Sequence, residues 1–362
     1  MATSADYKLG EYPFPRGWFV VAQSSEVRRK PFNVHYFGQD MVLYRGESGR
    51  VVMLDAYCPH MGTHLGMNET SDTVVGGTYL EGDSIRCPFH AWRFGPDGVC
   101  NNIPYFDGPI PSGAKVRSWP VEERFGIVFC WHDPEEQAAD IDLPHVPEWD
   151  DPAWVRWNEI DHLGDLNHPI EIVDNSSDRA HLNHLHGGHV LHYENEVEGP
   201  YLHQRETMST GDWEEGVTDL AGHRMTTLTT YFGPGVATGR FIELNAIELI
   251  AHTPIEDGTC RLWQASMLRS QSGQVAEQDR QNQERLNRNL VSGLLRDADV
   301  WKYKKPALRI MQLPADGPFL QSRMWYSQFY NPRARAAEIV KRVEGRHFAK
   351  GTPNWDQLVA AE

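Results

Sequence analysis

Asp55-Ala-Tyr-Cys58-Pro-His60-Met-Gly-Thr-His64-Leu and Arg86-Cys87-Pro-Phe-His90-Ala-Trp92-Arg-Phe94 are the two stretches from which the fold of this chain is read. Each places one Cys and one His on a short loop, and in each the Cys is followed by Pro. Two Cys and two His can hold one zinc ion tetrahedrally. They can also hold a [2Fe–2S] cluster in which one iron takes both Cys and the other both His. Zinc is the plainer structural alternative. The mixed order of ligands and the paired Cys-Pro turns favour the cluster, because each loop then spans both irons.

Around these loops the chain reads as β. Short runs rich in Val, Ile, Phe and Tyr (Trp18–Ala22, Met41–Tyr44, Val51–Tyr57, Gly126–Trp131) alternate with Gly, Pro, Asp and Asn clusters, which fits a small antiparallel sandwich or barrel. A first domain is therefore expected over 1–135, with its core over 14–135. Residues 136–152 are acidic and Pro-rich and are expected to be a linker. Residues 153–362 carry a helix-like stretch at Asp174–His186 and strand-like runs at Met225–Phe232, Phe241–His252 and Cys260–Met267. A long polar helix follows from about Gln274 to Lys304, then an aromatic stretch at Phe319–Tyr330. That half is expected to be a catalytic domain with an antiparallel sheet and flanking helices. The fold class is α+β.

Composition removes several function classes. Lys+Arg number 34 against 50 Asp+Glu, a net charge of −16. A surface that acidic repels phosphate backbones and anionic lipid, so nucleic-acid binding is not expected. No apolar run approaches the roughly 20 residues of a membrane helix. Five Cys in 362 residues are too few for a disulfide scaffold, and the N-terminus lacks a secretory pattern, so the expected compartment is the cytoplasm. No Gly-rich dinucleotide fingerprint follows a strand, so the chain is not expected to bind a nicotinamide itself.

The second concentration of ligands runs Asn175-Ser-Ser-Asp178-Arg-Ala-His181-Leu-Asn-His184-Leu-His186-Gly-Gly188. A His-rich helix face without metal is the plainer alternative. On an ideal helix His181 and His186 stand about 140° apart, so one metal takes both only if the helix ends between them. Gly187-Gly188 offers an end. His181 and His184 fit an unbroken helix better, so His184 remains a rival ligand. In the long helix Asp297 sits on the apolar stripe of Leu290, Leu294 and Trp301, where a carboxylate is costly unless paired or bound to metal. Asp299 lies toward the polar face. A salt bridge of Asp297 with Arg296 or Lys304 is the alternative to a metal.

C-x-H and C-x-x-H followed by Trp, with Tyr12-Pro-Phe-Pro-Arg-Gly-Trp18 upstream, resemble the Rieske non-heme iron oxygenases. Between His60 and Cys87 lie 26 residues (61 to 86), a longer span than that family usually has; the surplus at Met67–Gly77 reads as a lengthened surface loop. The resemblance runs from about Tyr12 to Tyr330 and is closest to the 3-ketosteroid 9α-hydroxylase branch. The strings that carry it are Glu171-Ile-Val-Asp-Asn175…Asp178-Arg-Ala-His181, Asp299-Val-Trp301-Lys-Tyr-Lys304, and Asp316-Gly-Pro…Arg323-Met-Trp325-Tyr-Ser-Gln-Phe-Tyr330.

The resemblance implies the following. The catalytic domain is of helix-grip type. Cys58, His60, Cys87 and His90 hold a Rieske [2Fe–2S] cluster. His181, His186 and Asp297 hold one mononuclear Fe(II), with O₂ as co-substrate. Asn175 and Asp178 belong to the catalytic set, and Asp178 bridges a cluster His of one subunit to an iron His of its neighbour in a homotrimer. It could also orient His181 from three residues away. NAD(P)H is used indirectly, through a flavin and iron–sulfur reductase or a ferredoxin. The expected substrate is a bulky apolar molecule of steroid type. A Rieske O-demethylase or aromatic-ring dioxygenase acting on a small aromatic, and a plain Rieske electron carrier, are the alternatives.

Overall fold

The computed structural model describes residues 1–210 and 224–352. The chain forms two compact units, one of Val20–His132 and one of Met1–Phe19 with Asp133–Glu362.

In the Val20–His132 unit, the strands Phe32–Tyr36, Gln39–Arg45, Val51–Asp55 and Ser118–Trp119 form one antiparallel sheet. Their first hairpin closes through Phe37 and Gly38, both at positive φ (54° and 69°), the two-residue turn that matches strand twist. The ring of Phe37 stacks on His132, 4.3 Å between centroids, which holds a non-Gly residue in that conformation. A second sheet, Leu80–Glu81, Ser84–Arg86, Arg93–Phe94 and Cys100–Asn102, carries the Cys87 loop between its middle strands. Val42, Tyr44, Leu54, Leu65, Ile85 and Phe94 pack into one core with Cys58 and Cys87. The two Cys-His loops therefore stand on apolar ground. The long loop between them contains a one-turn helix, Asp72–Val75, capped by Ser71, with no buried residue.

The other unit is built on a long antiparallel sheet. Its strand order is Trp154–Val155, Cys260–Arg269, Ala246–Pro254, Val236–Phe241, Arg224–Phe232, Tyr201–Thr210, Gly188–Glu198, Gly345–Phe348, and Asp161–Leu166 also pairs with Cys260–Arg269. The helix Glu277–Tyr303 lies on it. Gln283 Nε2 donates to the Ser266 carbonyl (2.7 Å), Ser266 Oγ to Asn287 Oδ1 (2.8 Å), and Asn287 Nδ2 to Asp161 Oδ2 (2.6 Å). Leu286 and Leu290 pack with Met208, Met225 and Phe241. Ala298 and Trp301 pack with Ile172 and Leu262.

Four expectations change. The start of the expected first domain belongs with the other unit: Ser4 Oγ lies 2.9 Å from His168 Nε2, Tyr7 donates to Glu171, and Asn331 Nδ2 donates to the Leu9 carbonyl (2.9 Å). Residues 136–152 are not a free linker. Ile141, Leu143 and Val146 are buried, Trp18 Nε1 donates to the Ile141 carbonyl (2.8 Å), and Arg333 pairs with both Asp133 and Asp140. The helix expected over Asp174–His186 is two helices, Ile170–Asn175 and Arg179–His184. The break falls at Ser176–Asp178, where short polar side chains compete for backbone partners. Likewise the run Phe241–His252 is two strands, separated by a turn with Asn245 at φ 49°.

Candidate functional site

The two Cys-His loops are the same turn built twice. Cys58 N–H donates to the Thr63 carbonyl and Gly62 N–H to the Cys58 carbonyl, both at 2.9 Å. Cys87 N–H donates to the Trp92 carbonyl (2.8 Å) and Ala91 N–H to the Cys87 carbonyl (3.0 Å), at identical offsets. The fourth residue after each Cys is left-handed, Gly62 at φ 71° and Ala91 at φ 55°. The two thiols hydrogen-bond each other. That contact lowers the Cys87 thiol to about 6 against its burial, helped by the N–H groups of Phe89 and His90, and raises Cys58. Backbone N–H groups thus face both sulfurs, two at Cys87 and that of His60 at Cys58, which suits a thiolate ligand. The rings of His60 and His90 are 4.7 Å apart, and His60 stacks on Trp92 at 4.5 Å. The sulfurs pair with each other and the rings with each other.

One zinc ion would draw all four ligand atoms to within about 4 Å of one another, given bonds of about 2.0–2.3 Å. Among the described residues, no three of these four donor atoms lie within 4.8 Å of one another; only His181, His186 and Asp297 form such a group. The Cys58/Cys87/His60/His90 set therefore fits a two-iron cluster, thiolates on one iron and imidazoles on the other, better than a single ion.

The second site is set by helix ends. Asp178 caps the helix Arg179–His184: its Oδ1 accepts from Ala180 N–H (2.9 Å) and His181 N–H (3.3 Å). Both bonds use Oδ1, which leaves Oδ2 open to another donor. The backbone carbonyl of Asp178 accepts from His181 Nδ1, which directs Nε2 inward as a lone-pair donor. The helix ends at His184, with Leu185 as its cap, and Gly187 turns left-handed at φ 73°. His186 consequently lies past the last helical turn and swings back to within 5.2 Å of the His181 ring. His184 is exposed and outside the group. Across from the pair, Asp297 is only 3% exposed. Its Oδ2 is 3.3 Å from His186 Nε2 and its Oδ1 is 3.9 Å from His181 Nε2. Among the described residues Oδ1 has no hydrogen-bond partner. A buried carboxylate oxygen without a donor, facing two imidazoles, is the arrangement a divalent cation completes. The alternatives for Asp297 lapse: Lys304 pairs with Glu171, and Arg296 is exposed, as is Asp299.

These three side chains line one cavity. Leu290, Leu294, Asp297 and Trp301, the stripe seen in the sequence, all face it. The rest of its wall is mixed: Ile172, Leu182, Met208, Met225, Tyr231 and Phe241 supply apolar surface, and Asn175 is among its polar residues. Among the described residues no Arg or Lys lines it, so it offers a substrate carboxylate no cationic clamp.

Comparison with known proteins fits this geometry. Residues 17–120 match the Rieske [2Fe–2S] domain, and residues 130–330 match the 3-ketosteroid 9α-hydroxylase C-terminal domain. The chain belongs to the Rieske oxygenases of the 3-ketosteroid 9α-hydroxylase family. It is 33% identical over 348 residues (91% of this chain, 84% of the relative) to a probable 3-ketosteroid-9-alpha-monooxygenase oxygenase component of Rhodococcus rhodochrous. To the corresponding component of Mycobacterium tuberculosis it is 30% identical over 348 residues (91% and 86%). A crystal structure of dicamba monooxygenase bound to dicamba shares the fold, with a TM-score of 0.64 at 17% identity over 96% of this chain and 99% of that one. As a Rieske oxygenase component, this chain depends on a separate reductase for electrons. Among the described residues no helix is long and apolar enough to cross a membrane.

For a Rieske oxygenase the cavity holds residues that the motifs did not single out. Glu206 and Glu248 line the wall beside Gln204, Thr227 and Thr229. Burial raises both carboxyl groups to about 7. The alternation Gln204, Glu206, Met208 in a strand was the available signal, since period-two spacing puts all three on one face.

Proposed function

We propose that this Rieske oxygenase hydroxylates a steroid by inserting one oxygen atom, with His181, His186 and Asp297 holding a mononuclear iron and Cys58, Cys87, His60 and His90 holding the cluster. The observation that carries the reading is the buried Asp297 carboxylate converging with two imidazoles on the wall of a cavity that, among the described residues, no Arg or Lys lines. A ferrous ion bound by two His and one carboxylate keeps positions open for O₂ and supplies its activation beside the substrate.

The chain's own residues do the rest. The Asp178 carbonyl fixes the His181 tautomer. The apolar wall desolvates and orients the substrate. Asp178 Oδ2, unused by the helix cap, is available to accept from a cluster His of a neighbouring subunit. On this reading the chain works as a homotrimer whose electrons cross between subunits at Asp178, and as a cytoplasmic enzyme fed by a flavin and iron–sulfur reductase. Asn175, on the cavity wall beside this route, orients substrate or ligand by hydrogen bonding.

The test is a panel of a 3-ketosteroid, a bile-acid-like steroid, a methoxybenzoate and a bicyclic arene, assayed with a reductase for product mass. A steroid product heavier by one oxygen is expected. Product from the small aromatics alone would overturn the steroid assignment.

A further inference from the structure

One row of residues runs straight across the sheet behind the cavity, and three of them, Gln204, Thr229 and Glu248, line it. Gln204 pairs with Thr229, Thr229 with Gly239, Gly239 with Glu248, and Glu248 with Ser266, each on a neighbouring antiparallel strand. Directly opposed positions share a face of a sheet. Thr229 and Glu248 are therefore held side by side with only a glycine between them. A Cβ at Gly239 would stand 3.4 Å from Thr229 Oγ1, 3.8 Å from Thr227 Cγ2 and 4.0 Å from Glu248 Oε2. The missing side chain leaves a notch with two oxygens on its walls.

Those oxygens are not spent on the fold. Glu248 Oε1 accepts from Gln264 Nε2 at 3.0 Å, while Oε2 makes no hydrogen bond among the described residues. Thr229 Oγ1 makes none either. Glu248 is 8% exposed, and the surface it keeps opens on the cavity. A carboxyl group left half-bonded in an apolar cavity costs free energy unless a ligand completes it.

We propose that Glu248, Thr229 and the gap at Gly239 form a polar subsite that takes one oxygen substituent, a ring carbonyl or hydroxyl, of the polycyclic substrate and so sets which end of it enters first. This rests on the steroid reading above and names what selects among steroids. Thr229 Oγ1 can donate to a carbonyl, and Gln264 holds the Glu248 carboxyl in place. The raised pKa of Glu248, caused first by burial and reinforced by Glu206, adds a share of neutral carboxylic acid that also donates. A substrate lacking that oxygen leaves both groups unpaired. Sites built this way reject the deoxy analogue far more strongly than apolar pockets reject a missing methylene.

The experiment is equilibrium dialysis of the loaded, oxidised protein with three probes: androst-4-ene-3,17-dione, and the same skeleton lacking the 3-oxygen or lacking the 17-oxygen. The wild type should bind one of the two deoxy probes about tenfold more weakly than the dione, the loss of one buried hydrogen-bonded contact. E248L should erase that difference by weakening the dione. E248Q, which still donates and accepts, should restore it. G239A fills the notch without changing charge and should weaken the dione in the same way. Unchanged discrimination in both E248L and G239A, with the cluster spectrum and iron content intact, overturns the subsite while the steroid reading stands. Failure of every steroid to bind the wild type overturns both.

Discussion

His186 Nε2 lies 3.3 Å from Asp297 Oδ2, although one residue comes from the loop after a six-residue helix and the other from the C-terminal third of a 27-residue helix. The approach depends on the chain leaving the helical path at Leu185. In a continuous helix His186 would point well away from His181, and His184 would be the better neighbour.

His184→Ala should therefore keep the mononuclear iron and most activity, because His184 is exposed and lies outside the His181, His186 and Asp297 group. His186→Ala should lose the iron and leave the visible spectrum of the cluster unchanged. Metal analysis of the two purified variants checks this, and iron loss in the His184 variant alone would transfer the ligand role.

Cys87→Ser should abolish the cluster spectrum, since an alkoxide of high pKa cannot replace the thiolate that the paired turns are built to hold. Cys100→Ser is the control. Cys100 is buried in the same core but outside the Cys-His loops, so its variant should stay coloured.

Asp178→Asn should fold normally, because Asn caps a helix about as well as Asp, and should keep both metal sites while losing most turnover. Asp178→Ala should in addition lose about 1 kcal/mol of stability with the cap. Stopped-flow reduction of the cluster followed by its reoxidation with O₂ and substrate separates the two effects. Full turnover in the Asn variant would remove the bridge between subunits.

Acid should destabilise the protein through His252. Both ring nitrogens are buried without partners, and burial lowers its pKa to about 4. The unfolded chain takes up its proton near pH 6.5 and the folded chain only near 4, so stability present at pH 7 is lost as pH falls through that window. The loss from this group is about 2 kcal/mol between pH 7 and 5. His168, lowered to about 3 by burial, acts in the same direction. Urea unfolding at the two pH values should show the loss in the wild type and a smaller one in His252→Leu; equal losses would contradict it.

The parts legible in the sequence were those written in local spacing. Cys58-x-His60 and Cys87-x-x-His90 declare their chemistry within a few residues, and Asp297 betrays itself as an acid on an apolar stripe. Less legible were features decided by distant partners. The first residues of the chain join the second unit because Tyr7 finds Glu171 and Asn331 finds Leu9, contacts that no window of sequence contains. His186 needed the helix to stop, which depends on the break at Ser176–Asp178 and the turn at Gly187. Glu248 and Gly239 look ordinary in their own strands and become a pair only through the register of the sheet.

The central claim is that the buried triad holds a mononuclear iron apart from the cluster. Iron and acid-labile sulfide counted per chain, in the wild type and in Asp297→Ala, test it most directly. The prediction is about three irons and two sulfides for the wild type, and about two of each for the variant with its cluster spectrum unchanged. Three irons retained in Asp297→Ala, or zinc in place of iron at either site, would contradict the account.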